Sequence, residues 1–150
     1  MTSHMPLNVL IVEDEALLAM DLESIVEDVG HRVVASAVCL REVQDLPDSI
    51  EPSLAFVDMH LAEGSTGLEV SAHIKAHWPD AIIVFVTANV RKIPEGFAGA
   101  HGVVAKPFSR AGMITAMRYL EEGILDPPPV SPEPSSFHAS PAFAATWAEH

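Results

Sequence analysis

Leu54-Ala55-Phe56-Val57-Asp58-Met59-His60-Leu61 is the stretch whose reading decides the fold. Four apolar residues run into one aspartate. An unbroken apolar run this short reads as a strand buried on both faces, as in a parallel sheet. In open sheets of that kind, ligands collect beyond the carboxyl ends of the strands. Asp58 falls at such an end. Taken alone, an aspartate there is a turn former or a helix cap. Its meaning depends on how the other strands end.

Residues 7–12 (LNVLIV) form a first apolar strand and stop at Glu13-Asp14-Glu15. Leu18, Leu22, Ile25, Val26 and Val29 then share one helical face, and Gly30 ends the helix. Residues 32–37 (RVVASA) read as a second strand, and a helix spans about 40–50, broken by Pro47 and closed by Pro52. After Asp58, a loop with Gly64 and Gly67 leads to a helix over about 68–78. Residues 81–86 (AIIVFV) are a fourth strand, stopping at Thr87. Pro94, Gly96 and Gly99 break up the helix expected next. Residues 102–105 are a fifth strand, ending at Lys106-Pro107. Ser109 can cap the last helix, which carries Met113, Ala116, Met117, Leu120 and Ile124 on one face. This alternation predicts an α/β fold: a five-stranded parallel sheet with helices on both faces.

The chain has 150 residues, 49% of them apolar, enough for one domain with its own core. Residues 1–5 read as an appended remnant, with Met5 the native start. Residues 6–124 form the domain. The segment 125–150 is rich in proline and reads as a flexible tail, although Phe137, Phe143 and Trp147 are unusual in a linker and would also suit a short docking segment. Net charge is −13, from 8 basic against 21 acidic residues, which disfavours nucleic-acid binding. With no signal peptide and no apolar run of membrane-spanning length, the expected location is the cytoplasm, off the membrane. Cys39, the single cysteine, reads as buried filler. His73 and His77 lie four residues apart but have no evident third ligand, so they read as surface residues.

The strand ends now converge. Glu13 and Asp14 follow strand one, Asp58 strand three, Thr87 strand four and Lys106 strand five. Three carboxylates in one pocket require a cation or a retained proton. Oxygen ligands without cysteine or clustered histidine point to Mg²⁺. A nucleophile, a metal, a lysine and a hydroxyl donor are what phosphoryl transfer to a carboxylate needs.

On these residues, together with Ala88 after Thr87 and the run Lys106-Pro107-Phe108, the chain resembles the receiver domain of two-component response regulators. The resemblance covers roughly residues 7–122. It implies the flavodoxin-like strand order 2-1-3-4-5. It implies that Asp58 takes phosphate from a histidine kinase or phosphotransfer protein, that Glu13, Asp14, Asp58 and the backbone carbonyl of His60 hold Mg²⁺, that Thr87 and Lys106 attend the phosphoryl group, and that Lys106-Pro107 is cis. It also implies a phosphoacceptor that contributes to its own phosphorylation and dephosphorylation without being an enzyme, with a downstream protein partner and a monomeric or weakly dimeric state.

Three features depart from the family pattern. Val103 stands where an aromatic switch residue is common, the loop after Asp58 lacks its usual proline, and the segment between strands four and five is a poor helix. These features resemble a receiver subclass whose fourth helix is short or mobile, often served by atypical histidine kinases. No output domain follows the last helix, so a single-domain receiver is expected. A degenerate, phosphorylation-independent binding module is the alternative; it would normally have lost the acids or the lysine. A haloacid-dehalogenase-type phosphatase would need an acid where His60 stands. An FMN-binding flavodoxin would need a phosphate-cradling loop where Glu13-Asp14-Glu15 stands.

Overall fold

The structure is a computed structural model and describes residues 6–148, with side chains to residue 146. The remnant expected at residues 1–5 and the side chain of Trp147 lie outside what is described. Five parallel strands are β1 (Asn8–Val12), β2 (Arg32–Ala37), β3 (Leu54–Val57), β4 (Ile82–Thr87) and β5 (Gly102–Ala105). A sixth, β6 (His138–Ala139), was not expected and pairs antiparallel with β5. The sheet order is β2-β1-β3-β4-β5-β6. The expected core of five strands is therefore present in its expected order, and the chain's C-terminal segment covers one edge.

The helices follow the apolar periodicity. They are α1 (Ala16–Asp28), α2 (Leu40–Gln44), α3 (Gly67–His77), α4 (Arg110–Leu125) and α5 (Pro141–Ala148). Gly30 ends the first with φ +92°, a conformation glycine adopts without strain. Thr66 and Glu69 close a reciprocal capping box on α3, and Ser109 caps α4 by accepting from the Gly112 N–H. The helix expected over 40–50 is shorter. It stops at Gln44, and a separate 3₁₀ turn occupies Asp48–Ile50. Pro47 has no N–H to continue the helix and disfavours helical backbone before it. Between β4 and β5 there is no α-helix, only 3₁₀ turns at Val90–Lys92 and Phe97–Gly99.

Alternation along each strand divides the core into two layers. Val9, Ile11, Phe56, Val84 and Val104 face α1 and α4, meeting Leu22, Ile25, Met113, Met117 and Leu120. Leu10, Val12, Ala55, Val57, Ile83, Phe85 and Val103 face the other way, onto Val43, Val70, Ile74 and Trp78. Cys39 is buried, in keeping with a filler role, and its thiol also donates to Glu63.

The tail differs most from expectation. Instead of hanging free, it climbs along α4, forms β6 on the edge of β5 and ends in α5. Phe137 is fully buried and Phe143 nearly so, both within the α1–α4 layer of the core. The Pro-rich composition favoured a flexible tail; Phe137 and Phe143, the residues that would also suit a docking segment, set the docking.

Candidate functional site

Register brings the acids together. Val12 of β1 lies beside Val57 of β3, so the next residues, Glu13 and Asp58, emerge side by side. The Asp58 N–H donates to Val12 O and the Glu13 N–H to Ala37 O, each at 2.9 Å, extending the ladders by one residue. Thr87 closes β4 opposite Ala105, and the Lys106 N–H donates to Thr87 O at 2.9 Å. Parallel strands whose register aligns their carboxyl ends thus deliver four side chains to one end of the sheet.

Glu13 is 2% exposed, Asp58 7% and Thr87 1%. Lys106 Nζ lies 2.8 Å from Glu13 Oε1 and 3.2 Å from Asp58 Oδ2. Asp14 is exposed at the mouth. Ligand oxygens of Glu13, Asp14 and Asp58 all lie within 4.8 Å of one another. The His60 N–H points at Asp58 Oδ1 at 3.5 Å, and its ring is on the exposed rim. Thr87 Oγ1 accepts from the Asn89 N–H at 3.0 Å, which leaves the hydroxyl free to donate. The Lys106-Pro107 bond is cis. An apolar cleft lined by Leu18, Ala88, Lys106, Pro107 and Phe108 opens beside the lysine.

The electrostatics are those of a site with too much negative charge. Burial, reinforced by the charge of Asp58, pushes the Glu13 carboxyl up to about 7, against the opposing pull of Lys106 and the Glu15 N–H. Burial also works against the Lys106 charge, but the Glu13 and Asp58 carboxylates outweigh it and raise its pKa. Glu13 Oε1 is buried and has Lys106 Nζ 2.8 Å away, but one ammonium does not neutralise three carboxylates. A hard divalent cation would, and the all-carboxylate donor set suits Mg²⁺. The acidic cluster can therefore hold a metal ion.

One residue of the site escaped the sequence reading. Gly67 opens α3 directly behind Asp58, and a Cβ there would fall 2.5 Å from Asp58 O. The only signal was a glycine beside a helix start, which capping alone would explain.

The response regulator receiver domain profile matches residues 9–118. The phyllosphere-induced regulator PhyR of Methylorubrum extorquens is 34% identical over 115 residues, covering 75% of this chain and 43% of that protein. The transcriptional regulatory protein PdtaR of Mycobacterium tuberculosis is 31% identical over 114 residues, covering 75% of this chain and 55% of the relative. The chain thus matches about half the length of these curated relatives. The solution structure of the Erythrobacter litoralis PhyR receiver domain superposes with a TM-score of 0.70 at 28% identity, covering 84% of this chain and 97% of that one.

Proposed function

The chain belongs to the response regulator receiver family, and from that premise we propose that Asp58 accepts a phosphoryl group from a phosphohistidine on a kinase or phosphotransfer protein. The observation that supports it most is the Lys106 ammonium held between the Asp58 and Glu13 carboxylates at the strand ends.

One Asp58 oxygen attacks phosphorus as the P–N bond of the phosphohistidine breaks, and the imidazole leaves with that electron pair. Lys106 faces the reacting carboxylate and keeps its charge at neutral pH. Thr87 donates its hydroxyl to a phosphoryl oxygen. Glu13, Asp14, Asp58 and the His60 carbonyl would hold Mg²⁺, which supplies charge neutralisation for the phosphoryl oxygens when bound. The same pocket admits water, so the residues that promote phosphorylation also bear on its loss.

Phosphorylation adds negative charge and three acceptor oxygens at Asp58. Thr87 and Lys106 follow those oxygens, and the segment after Thr87 repacks. The signal then reaches a downstream protein through the surface formed by β4, that segment and α4. Among the described residues no helix is long and apolar enough to cross a membrane; a cytoplasmic location is part of the proposal.

Intact mass after incubation with Mg²⁺ and acetyl phosphate tests this, beside Asp58→Asn. The expected result is one added phosphoryl group that requires both Mg²⁺ and Asp58. If neither acetyl phosphate nor a phosphohistidine donor labels the chain, and Mg²⁺ does not bind, the phosphorylation-independent binding module replaces this reading.

A further inference from the structure

The C-terminal strap occupies a site built for an extended peptide. Its ladder to β5 covers two of four residues, Gly102 opposite Ala139 and Val103 opposite His138, and stops short of Val104 and Ala105. One more backbone bond follows, from the Ser140 N–H to His101 O at 2.9 Å. Phe137 is the anchor. Its ring lies over Gly102, where any Cβ would come within 2.4 Å of it, and 5.7 Å from the ring of Tyr119. Phe143 seats edge-on against the His101 ring at 4.9 Å. A strand edge with a side-chain socket one residue deep is the geometry of recognition by strand addition.

The strap fills this site imperfectly. Ser136 Oγ is buried without a hydrogen-bond partner. An open cleft of about 260 Å³ remains among β5, the strap and the start of α4, lined by Val104, Ala105, Ser109, Gly112, Ser136 and His138 among others. The tether over residues 126–136 is pinned mainly by Glu122, which accepts from the Val130 and Ser131 N–H groups and the Ser131 hydroxyl. Without a cover, β5 would present an open strand edge.

We propose that the β5 edge and its Gly102 socket form a docking site for an extended segment of a partner protein, a strand antiparallel to β5 that carries a phenylalanine within it and pairs with all of β5 on both sides of that residue, and that the strap is its displaceable internal competitor. A second copy's strap is not the favoured occupant. The tether holds the resident strap at an effective concentration of roughly millimolar, which an identical segment at micromolar concentration cannot match. A segment pairing with four residues instead of two can.

The probe is a labelled peptide of residues 133–148, titrated against the full-length chain by fluorescence anisotropy. Phe137→Ala empties the socket, and the expected affinity for the peptide is at least about 10-fold above that of the wild type. Adding Gly102→Ala fills the socket and should abolish that gain. Equal, weak binding to wild type and a folded Phe137→Ala chain would overturn the proposal, as would peptide binding that ignores Gly102→Ala. A wild-type dimer dissociated by Gly102→Ala would overturn it in favour of exchange between copies. Hydrogen exchange of the wild type needs no variant. The Ser140 amide should exchange at least about 100-fold faster than that of Asp58, through opening of the strap alone. Equal exchange would make the strap a fixed part of the core and sink the idea.

Discussion

Lys106 separates two acids that would otherwise repel each other inside the sheet's end. Its removal has an asymmetric cost. Breaking a buried ion pair from one side leaves uncompensated charge, roughly 3–5 kcal/mol. Glu13 can escape part of this by taking up a proton, since burial already raises its pKa to about 7. Lys106→Ala should therefore destabilise the metal-free chain by about 3 kcal/mol at pH 8 and by less at pH 6. Mg²⁺ should recover most of the loss at the higher pH. Urea unfolding at both pH values, with and without Mg²⁺, checks this; a loss independent of pH and metal would show that only packing had been removed. Phosphoryl uptake on Asp58 should fall sharply in the same variant even where folding is restored. These residues were all legible in the sequence because strand ends are: an apolar run that stops at a charged residue marks its own end. Gly67 was not legible. Its role is a distance to a backbone atom on another element, and nothing local encodes that.

At the scale of elements, α3 and the segment between β4 and β5 are the parts that frame Asp58. The first residue of α3 packs on the carbonyl of Asp58, so Gly67→Ala must push the helix away or move the acceptor. Overpacking of this kind costs about 1–3 kcal/mol, and the phosphorylation rate should drop because the aspartate moves relative to Lys106. Time-resolved mass spectrometry of acetyl phosphate labelling measures the rate; an unchanged rate with lowered stability would show that α3 yields and Asp58 does not. The segment after Thr87 holds two 3₁₀ turns and a left-handed, non-glycine pair, Phe97 and Ala98. With Val103 buried against Phe85 instead of offering a ring to move, ordering of this segment is the remaining route for a switch. Hydrogen exchange across residues 90–99 should slow when a phosphoryl mimic binds; identical exchange would exclude it. The sequence marked this segment as a poor helix through Pro94 and its glycines, and Pro47 as the break in the helix over 40–50. It did not mark β6. Two residues of strand have no periodicity to read, and the anchor Phe137 depends on the missing Cβ of Gly102, 35 positions earlier by the numbering of the chain.

Across the whole molecule, one buried group, Glu13, and one half-buried group, His101, oppose each other in their response to pH. His101 lies between the fourth and fifth strands, its Nδ1 accepting from the Ile83 N–H and its ring against Phe143. Burial, with Lys75 nearby, lowers its pKa to about 4, against that of an ordinary histidine at 6.5. The unfolded chain therefore binds the proton first, and His101 contributes stability above pH 6.5 that is lost as pH falls toward 4. Glu13 runs the other way. Its carboxyl is raised from 4.5 to about 7, so its contribution is present below 4.5 and lost as pH rises through 7. Between about pH 4.5 and 6.5 one group gives a rising slope and the other a falling one, each at most about 1.4 kcal/mol per pH unit. Their contributions to the metal-free wild type should nearly cancel in that window. His101→Gln removes the rising part, and stability should then fall as pH increases. Mg²⁺ holds Glu13 ionised and removes the falling part, so the metal-loaded wild type should gain stability with pH, and metal binding should release close to one proton below pH 7. Thermal unfolding of the two chains from pH 4.5 to 7.5, with and without Mg²⁺, yields four curves that this pairing orders in advance. If His101→Gln leaves the metal-free curve unchanged, the histidine is not held neutral by the fold. If Mg²⁺ leaves the slope unchanged, Glu13 does not take part in holding the metal, and the ligand set contracts to Asp14, Asp58 and the His60 carbonyl.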